Sequence, residues 1–156
     1  TVAPDWNGAG ADHVAYALAV EEVAAGDGAV STIMSVQNLV AGVVNRFGTA
    51  AQKERFLKPL ASGEVIGAFC LTEPQAGSDA AALKTRARRD GNHFVINGTK
   101  QFITSGATAG TAIVIAVTDP EAGRKGITAT AIVMPVFIAV NPAMKLMNAT
   151  PASPVG

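Results

Sequence analysis

Before position 63 the apolar residues recur at helical spacing; after it they gather in short runs divided by turn dipeptides. Over 12–25 the residues favour helix, but Val14 and Leu18 fall on one side and Tyr16, Val20 and Val23 on another, so no single apolar stripe forms. Such a helix is expected to pack on two sides. Past the Asp27-Gly28 break, Ile33, Val36, Val40, Val43, Val44 and Phe47 recur at helical spacing as far as Gly48, a natural stop for a second helix. Thr49 and Gln52 stand at the spacing of a capping box, in which hydroxyl and side-chain amide satisfy backbone N–H groups reciprocally. The third helix that starts there is expected to end near 61–63.

From Glu64 onward the helical period disappears. β-Prone runs cover 65–72, 85–89, 93–97, 100–104, 112–118 and 127–134, with Asp90-Gly91, Asn97-Gly98 and Asp119-Pro120 as punctuation. Connections this short favour antiparallel neighbours, in a meander or small barrel rather than a doubly wound sheet. The expected fold class is α+β: a helical segment over 1–62, then an antiparallel, barrel-like β-domain over 63–156. No internal repeat is visible.

Composition narrows the function classes. The chain has 156 residues, 49% of them hydrophobic, enough for a packed core. Lys and Arg total 12 and Asp and Glu total 12, so no net field draws nucleic acid or anionic lipid, and an anionic ligand must be held locally. Apolar runs are interrupted well short of the roughly 18 residues of a membrane span, so none is expected. The lone cysteine, Cys70, cannot form an internal disulfide and, with no His near it in sequence, reads as a small buried apolar residue. The opening at Thr1, without initiator Met or leader, reads as a start inside a longer protein. The small-residue tail over 148–156 reads as a truncation or a poorly ordered end.

The most informative stretch is 67–79 (GAFCLTEPQAGSD), a buried strand ending in a turn where Gly77 permits close backbone approach and Ser78 and Asp79 offer polar contacts. Thr72, Ser78 and Thr104 are hydroxyls of the kind that hold a flat heteroaromatic ligand, but a threonine in a strand also serves β-propensity. Spacing alone leaves both readings open.

The run 69–79 (FCLTEPQAGSD) resembles the signature of the acyl-CoA dehydrogenase family, and 97–104 (NGTKQFIT) resembles its second signature at the proper distance. The segment 125–128 (KGIT) is similar to the strand that follows, and Glu21-Glu22, 33–36 (IMSV), 47–54 (FGTAAQKE) and 57–63 (LKPLASG) resemble the last helices of the family's N-terminal domain. The resemblance covers the chain as far as about Val133. It implies FAD as cofactor, with Phe69, Cys70, Leu71 and Thr72 along the pyrimidine edge of the flavin, Phe102 against its ring, Ile103 contributing backbone, and Thr104 near N5. Ser78 is implied to contact both FAD and the acyl-CoA substrate. Many members carry Trp where this chain has Phe102; Phe still stacks but lacks the indole N–H. The implied activity is α,β-dehydrogenation of an acyl-CoA to a trans-2-enoyl-CoA, short-chain by the look of 33–36 and Met134-Pro135. An electron-transfer flavoprotein is the implied electron acceptor and a homotetramer the implied assembly, cytoplasmic in a bacterium or in the matrix of a mitochondrion. The catalytic base is expected from a C-terminal helical domain, so no residue here is assigned that role. An acyl-CoA oxidase of the same fold and a non-catalytic flavin-binding module are the alternatives.

Other candidates read more plainly. Arg86, Arg88 and Arg89, beside a turn, form a solvated face. His13 and His93 have no partner at metal-ligand spacing, and no metal is expected. Glu21 and Glu22 read as helix surface or structural carboxylates. Ile33, Met34 and Gln37 are implied by the resemblance to close the acyl pocket. Past Val133 the likeness is approximate: 136–140 (VFIAV), 145–147 (KLM) and 151–154 (PASP) depart from the family's usual run.

Overall fold

The computed structural model describes residues 1–91, 93–133 and 144–145. The expectations placed on 134–143 and 146–156 therefore lie outside the described residues. Asp12 starts α1 (His13–Gly26) by accepting from the Ala15 N–H at 2.8 Å, and Asp27 starts α2 (Gly28–Phe47) by accepting from the Ala29 and Val30 N–H groups at 2.7 and 3.1 Å. The predicted capping box is present: the Thr49 N–H donates to Gln52 Oε1 at 2.8 Å and the Gln52 N–H to Thr49 Oγ1 at 3.3 Å. The third helix divides into α3 (Ala50–Gln52), a π-helical stretch (Lys53–Leu57) and α4 (Lys58–Ser62). Pro59 explains the widening, since it offers no N–H to the carbonyl four residues back and its ring crowds that carbonyl.

Within this chain α1 is covered on one side, not two. Tyr16, Val20 and Val23 are partly buried, whereas Val14 and Leu18 remain 68% and 57% exposed.

Among the described residues six strands follow: β1 (Gly67–Cys70), β2 (Arg86–Asp90), β3 (His93–Asn97), β4 (Thr111–Val117), β5 (Ile127–Val133) and β6 (Met144–Lys145). Their order is β1-β4-β2-β3-β6, with β5 also paired to β4. β2–β3 and β4–β5 are the antiparallel neighbours expected from short connections, and Gly91, at φ 59°, turns the first pair. The sheet is nevertheless mixed, because β1 runs parallel to β4 from Gly67↔Thr111 to Cys70↔Val114, and β2 meets β4 in parallel at Arg86↔Val117. The long 71–110 connection permits what a tight turn forbids, a return in the same direction. Because β5 occupies one whole edge of β4, β1 and β2 follow one another along the other.

The sheet separates two apolar clusters. On its helix side Phe69, Ile113 and Ile115 pack against Val40, Val44, Phe56, Leu57 and Leu60. On the other, Ala68, Cys70, Ala87, Ile96, Ala112, Val114 and Ala116 close on themselves and on Phe94, Ile103 and Ala109. Gln37 joins helices to sheet: its Nε2 donates to the Leu60 and Val65 carbonyls, each at 2.8 Å, and its Oε1 accepts from the Gly67 N–H at 2.7 Å. That amide is fully engaged in the α4–β1 corner.

Candidate functional site

Immediately after β1 the chain reverses, with the Glu73 and Ala76 backbones exchanging hydrogen bonds of 3.0 and 3.1 Å. The Glu73 side chain turns inward and accepts from Gln75 Nε2 (2.7 Å), the Lys84 N–H (2.6 Å), the Thr85 N–H (3.0 Å) and Lys100 Nζ (2.8 Å). Burial by itself would raise its pKa, but the Lys100 ammonium and the two backbone N–H groups outweigh that and hold the carboxyl at about 2, from an ordinary 4.5. Glu73 is thus a fixed carboxylate.

Lys100 and Gln101 bring the second segment against the first. Lys100 Nζ also donates to the Leu71 carbonyl at 2.8 Å, the Gln101 N–H to the Thr72 carbonyl at 2.9 Å, and Gln101 Nε2 to the Glu73 carbonyl at 3.4 Å. Gly98 lies so close to Thr85 that a Cβ there would collide with it. The predicted strand over 100–104 does not form; these residues are a loop in which Phe102 holds φ at 56°, and Ser105 just beyond holds it at 59°. The Gln101 N–H and the Lys100 and Gln101 side chains bond to the 71–73 backbone in place of a ladder, and left-handed backbone cannot join a strand.

The result is an aromatic ring standing in solvent: Phe102 is 86% exposed, while its neighbour Ile103 packs onto the inner face of the sheet. Across the hydrogen bonds, β1 has no strand on its outer edge among the described residues. The Gly67 N–H points to that edge, toward Gln37, and alternation along an extended strand sends the Phe69 N–H and carbonyl the same way.

Known proteins carry the same arrangement of segments. The family model described as acyl-CoA dehydrogenase, N-terminal domain, matches residues 1–64, and that described as acyl-CoA dehydrogenase, middle domain, matches 68–139. The chain belongs to the acyl-CoA dehydrogenase family. It is 47% identical over 126 residues to a short-chain specific acyl-CoA dehydrogenase of Clostridium acetobutylicum, covering 80% of this chain and 33% of that protein. It superposes on butyryl-CoA dehydrogenase from Megasphaera elsdenii with a TM-score of 0.79 at 43% identity, covering 84% of this chain and 36% of that one. A glutaryl-CoA dehydrogenase from Mycobacterium smegmatis, solved in complex with FADH2, gives a TM-score of 0.77 at 36% identity over 96% of this chain and 42% of that one. The chain spans about a third of the length of the curated relatives it matches.

In this chain the candidate residues fall into three groups. Leu71 and Thr72, both half-buried, are drawn by hydrogen bonds to the loop carrying Phe102, Ile103 and Thr104. Phe69 and Cys70 lie in β1 on opposite faces; the buried Cys70 thiol is pushed by desolvation from an ordinary 9.0 to about 11, against a smaller pull from Lys100. Ser78 is exposed, on the turn between the Glu73–Ala76 pair and a short 3-10 turn (Ala80–Ala82). Sequence reasoning missed the partnership of Glu73 and Lys100 and the corner role of Gln37. For the pair the available signal was one charge directly after the β-prone run 65–72 and an opposite one at the start of the run 100–104, since a charge taken from water requires a partner. Arg86, Arg88 and Arg89 are exposed, and His13 lies on the exposed start of α1.

Proposed function

We propose that this chain is the flavin- and substrate-facing part of an enzyme that dehydrogenates short acyl-CoA thioesters across the α,β bond, giving trans-2-enoyl-CoA. The observation that carries the reading is the hydrogen-bonded union of 71–73 with 100–101, which ties the segment bearing Thr72 to the loop bearing Thr104 and the exposed Phe102 ring. A flat heteroaromatic cofactor fits that donor set. The Phe69, Cys70, Leu71 and Thr72 segment would hold its pyrimidine edge, Phe102 would stack on it, Ile103 would offer backbone, Thr104 would donate to the ring, and Ser78 would reach both FAD and acyl-CoA. When bound, FAD supplies the two-electron acceptor that carbon–carbon oxidation requires. The relatives named short-chain specific support the substrate length.

The base that removes the α-proton is assigned outside the described residues. Glu73 is committed to four donors, and Glu21 and Glu22 are exposed on α1. An electron-transfer flavoprotein as electron acceptor and a homotetrameric assembly complete the proposal, in the bacterial cytoplasm or the mitochondrial matrix.

The test is anaerobic mixing of the complete, FAD-loaded enzyme with butyryl-, octanoyl- and palmitoyl-CoA while flavin absorbance is followed. Butyryl-CoA bleaches it fastest, and preference for palmitoyl-CoA sinks the short-chain assignment. Thr104→Val deletes a hydrogen bond worth roughly 0.5–1.5 kcal/mol net and slows that bleaching or shifts the flavin potential; unchanged values remove Thr104 from the site. The 156-residue chain alone does not bleach with added FAD, and rapid bleaching would place a base within it.

A further inference from the structure

Glu73 and Lys100 are both nearly withdrawn from water, their side chains 2% and 11% exposed and their charged atoms 2.8 Å apart. Burying such a pair is a poor way to gain stability, because the desolvation of two ions offsets most of their attraction and well-packed apolar residues do as well or better. What else the two side chains hold points to geometry instead. Glu73 gathers the turn at Gln75 and the lead-in to β2 at Lys84 and Thr85, while Lys100 also grips the Leu71 carbonyl. Three stretches distant in sequence therefore meet on one carboxylate–ammonium contact.

Immediately beyond Lys100 and Gln101 comes Phe102, exposed and in left-handed backbone, a conformation that a bulky residue keeps only where its surroundings over-determine it. Ile103, packed on the sheet, restrains the loop from one side. The Lys100 and Gln101 bonds to 71–73 restrain it from the other.

We infer that the Glu73–Lys100 pair is a positioning device: it holds the loop bearing Phe102 and Thr104 at a set separation from Leu71 and Thr72, so that one flat cofactor can engage both segments. Neither side chain is assigned a contact with that cofactor. The inference rests on the flavin reading above and adds the residues that shape the cleft.

Stability and positioning can be separated by charge. Glu73→Gln leaves Lys100 a buried cation without its counter-ion and lowers the melting temperature. Glu73→Gln/Lys100→Met removes that stranded charge and recovers most of the loss, yet the staple between Lys100, Leu71 and residue 73 is gone. In the double variant FAD affinity, followed by quenching of flavin fluorescence, falls at least ten-fold relative to the parent. Its Gln101 amide, which donates to Thr72 in the parent, exchanges hydrogen at least ten-fold faster. Should Glu73→Gln not fold, the double variant is compared directly with the parent, each at the same interval below its own melting temperature. Parent-like FAD affinity or parent-like Gln101 protection in the double variant overturns the inference and leaves the pair a stability element. Absence of FAD binding by the parent protein is a different result: it sinks the flavin reading, and the Gln101 exchange rate alone then decides whether the pair holds the loop.

Discussion

The helix-facing side of the sheet meets Phe56, Leu57, Leu60 and Val40 with Phe69, Ile113 and Ile115, whereas the opposite side is mostly small, with Ala68, Cys70, Ala87, Ala112 and Ala116 beside the larger Ile96 and Val114. Large side chains remove much apolar area from water, and the first face accordingly carries the cohesion between helices and sheet. Small side chains bury little apiece but let backbone and loops come near, and that is where Ile103 anchors the loop bearing Phe102. One face is built for cohesion and the other for placement. Polar groups follow the same division: Gln37 satisfies backbone at the helix–sheet corner, and the Glu73–Lys100 pair ties the loops.

The comparison is tested hardest by truncating the first face. Phe56 is 1% exposed, and Phe56→Ala is expected to cost about 3–5 kcal/mol, read by urea unfolding. A loss below about 1 kcal/mol would mean that this cluster is not the main source of cohesion.

Acid titration probes the loop side next. Glu73 has a folded pKa of about 2 against an ordinary 4.5, so the folded state gives up its proton more readily and gains stability above 4.5. That gain is lost as pH falls through the window from 4.5 to 2. Glu73→Gln is expected to flatten this limb of the stability profile, and an unchanged slope would show that other carboxylates set it.

Overpacking the small face has a smaller expected effect. Ala112 is fully buried, so Ala112→Leu adds volume where the layers approach closely and is expected to cost about 1–3 kcal/mol. Its companion effect is sharper: hydrogen exchange in the loop over 102–106 should accelerate, since Ile103 packs on the same cluster. A change confined to global stability would break the claim that this face positions the loop.

The smallest effect is alkaline. The Cys70 thiol, held near 11 against an ordinary 9.0, stays protonated in the folded state while the unfolded chain ionises. Stability should therefore decline as pH rises from 9 toward 11, and Cys70→Ala should remove that decline. Labelling of Cys70 by a thiol reagent at neutral pH should be slow in the folded protein and fast in urea.

Local patterns carried far in this chain. The Asp27-Gly28 break, the Thr49–Gln52 capping box, the Asp90-Gly91 hairpin and five of the β-prone runs are interactions between residues close in sequence, and each formed where its pattern stands. The two motifs also sufficed to recognise the family, since a motif is itself a short-range arrangement. What escaped was long-range. Residues 100–104 have strand propensity, yet their backbone partners came from Leu71, Thr72 and Glu73, so the run became a loop with Phe102 in left-handed backbone. The parallel pairing of β1 with β4 depended on how a long connection folds back, which no dipeptide encodes. The pairing of Glu73 with Lys100 likewise required two distant charges to find each other inside the same low-dielectric corner. The sequence by itself determined the local elements, the recognisable motifs and the need for every buried charge to be matched. Tertiary structure decided which segments satisfy one another, because unpaired donors, acceptors and ions removed from water accept partners wherever the fold brings them.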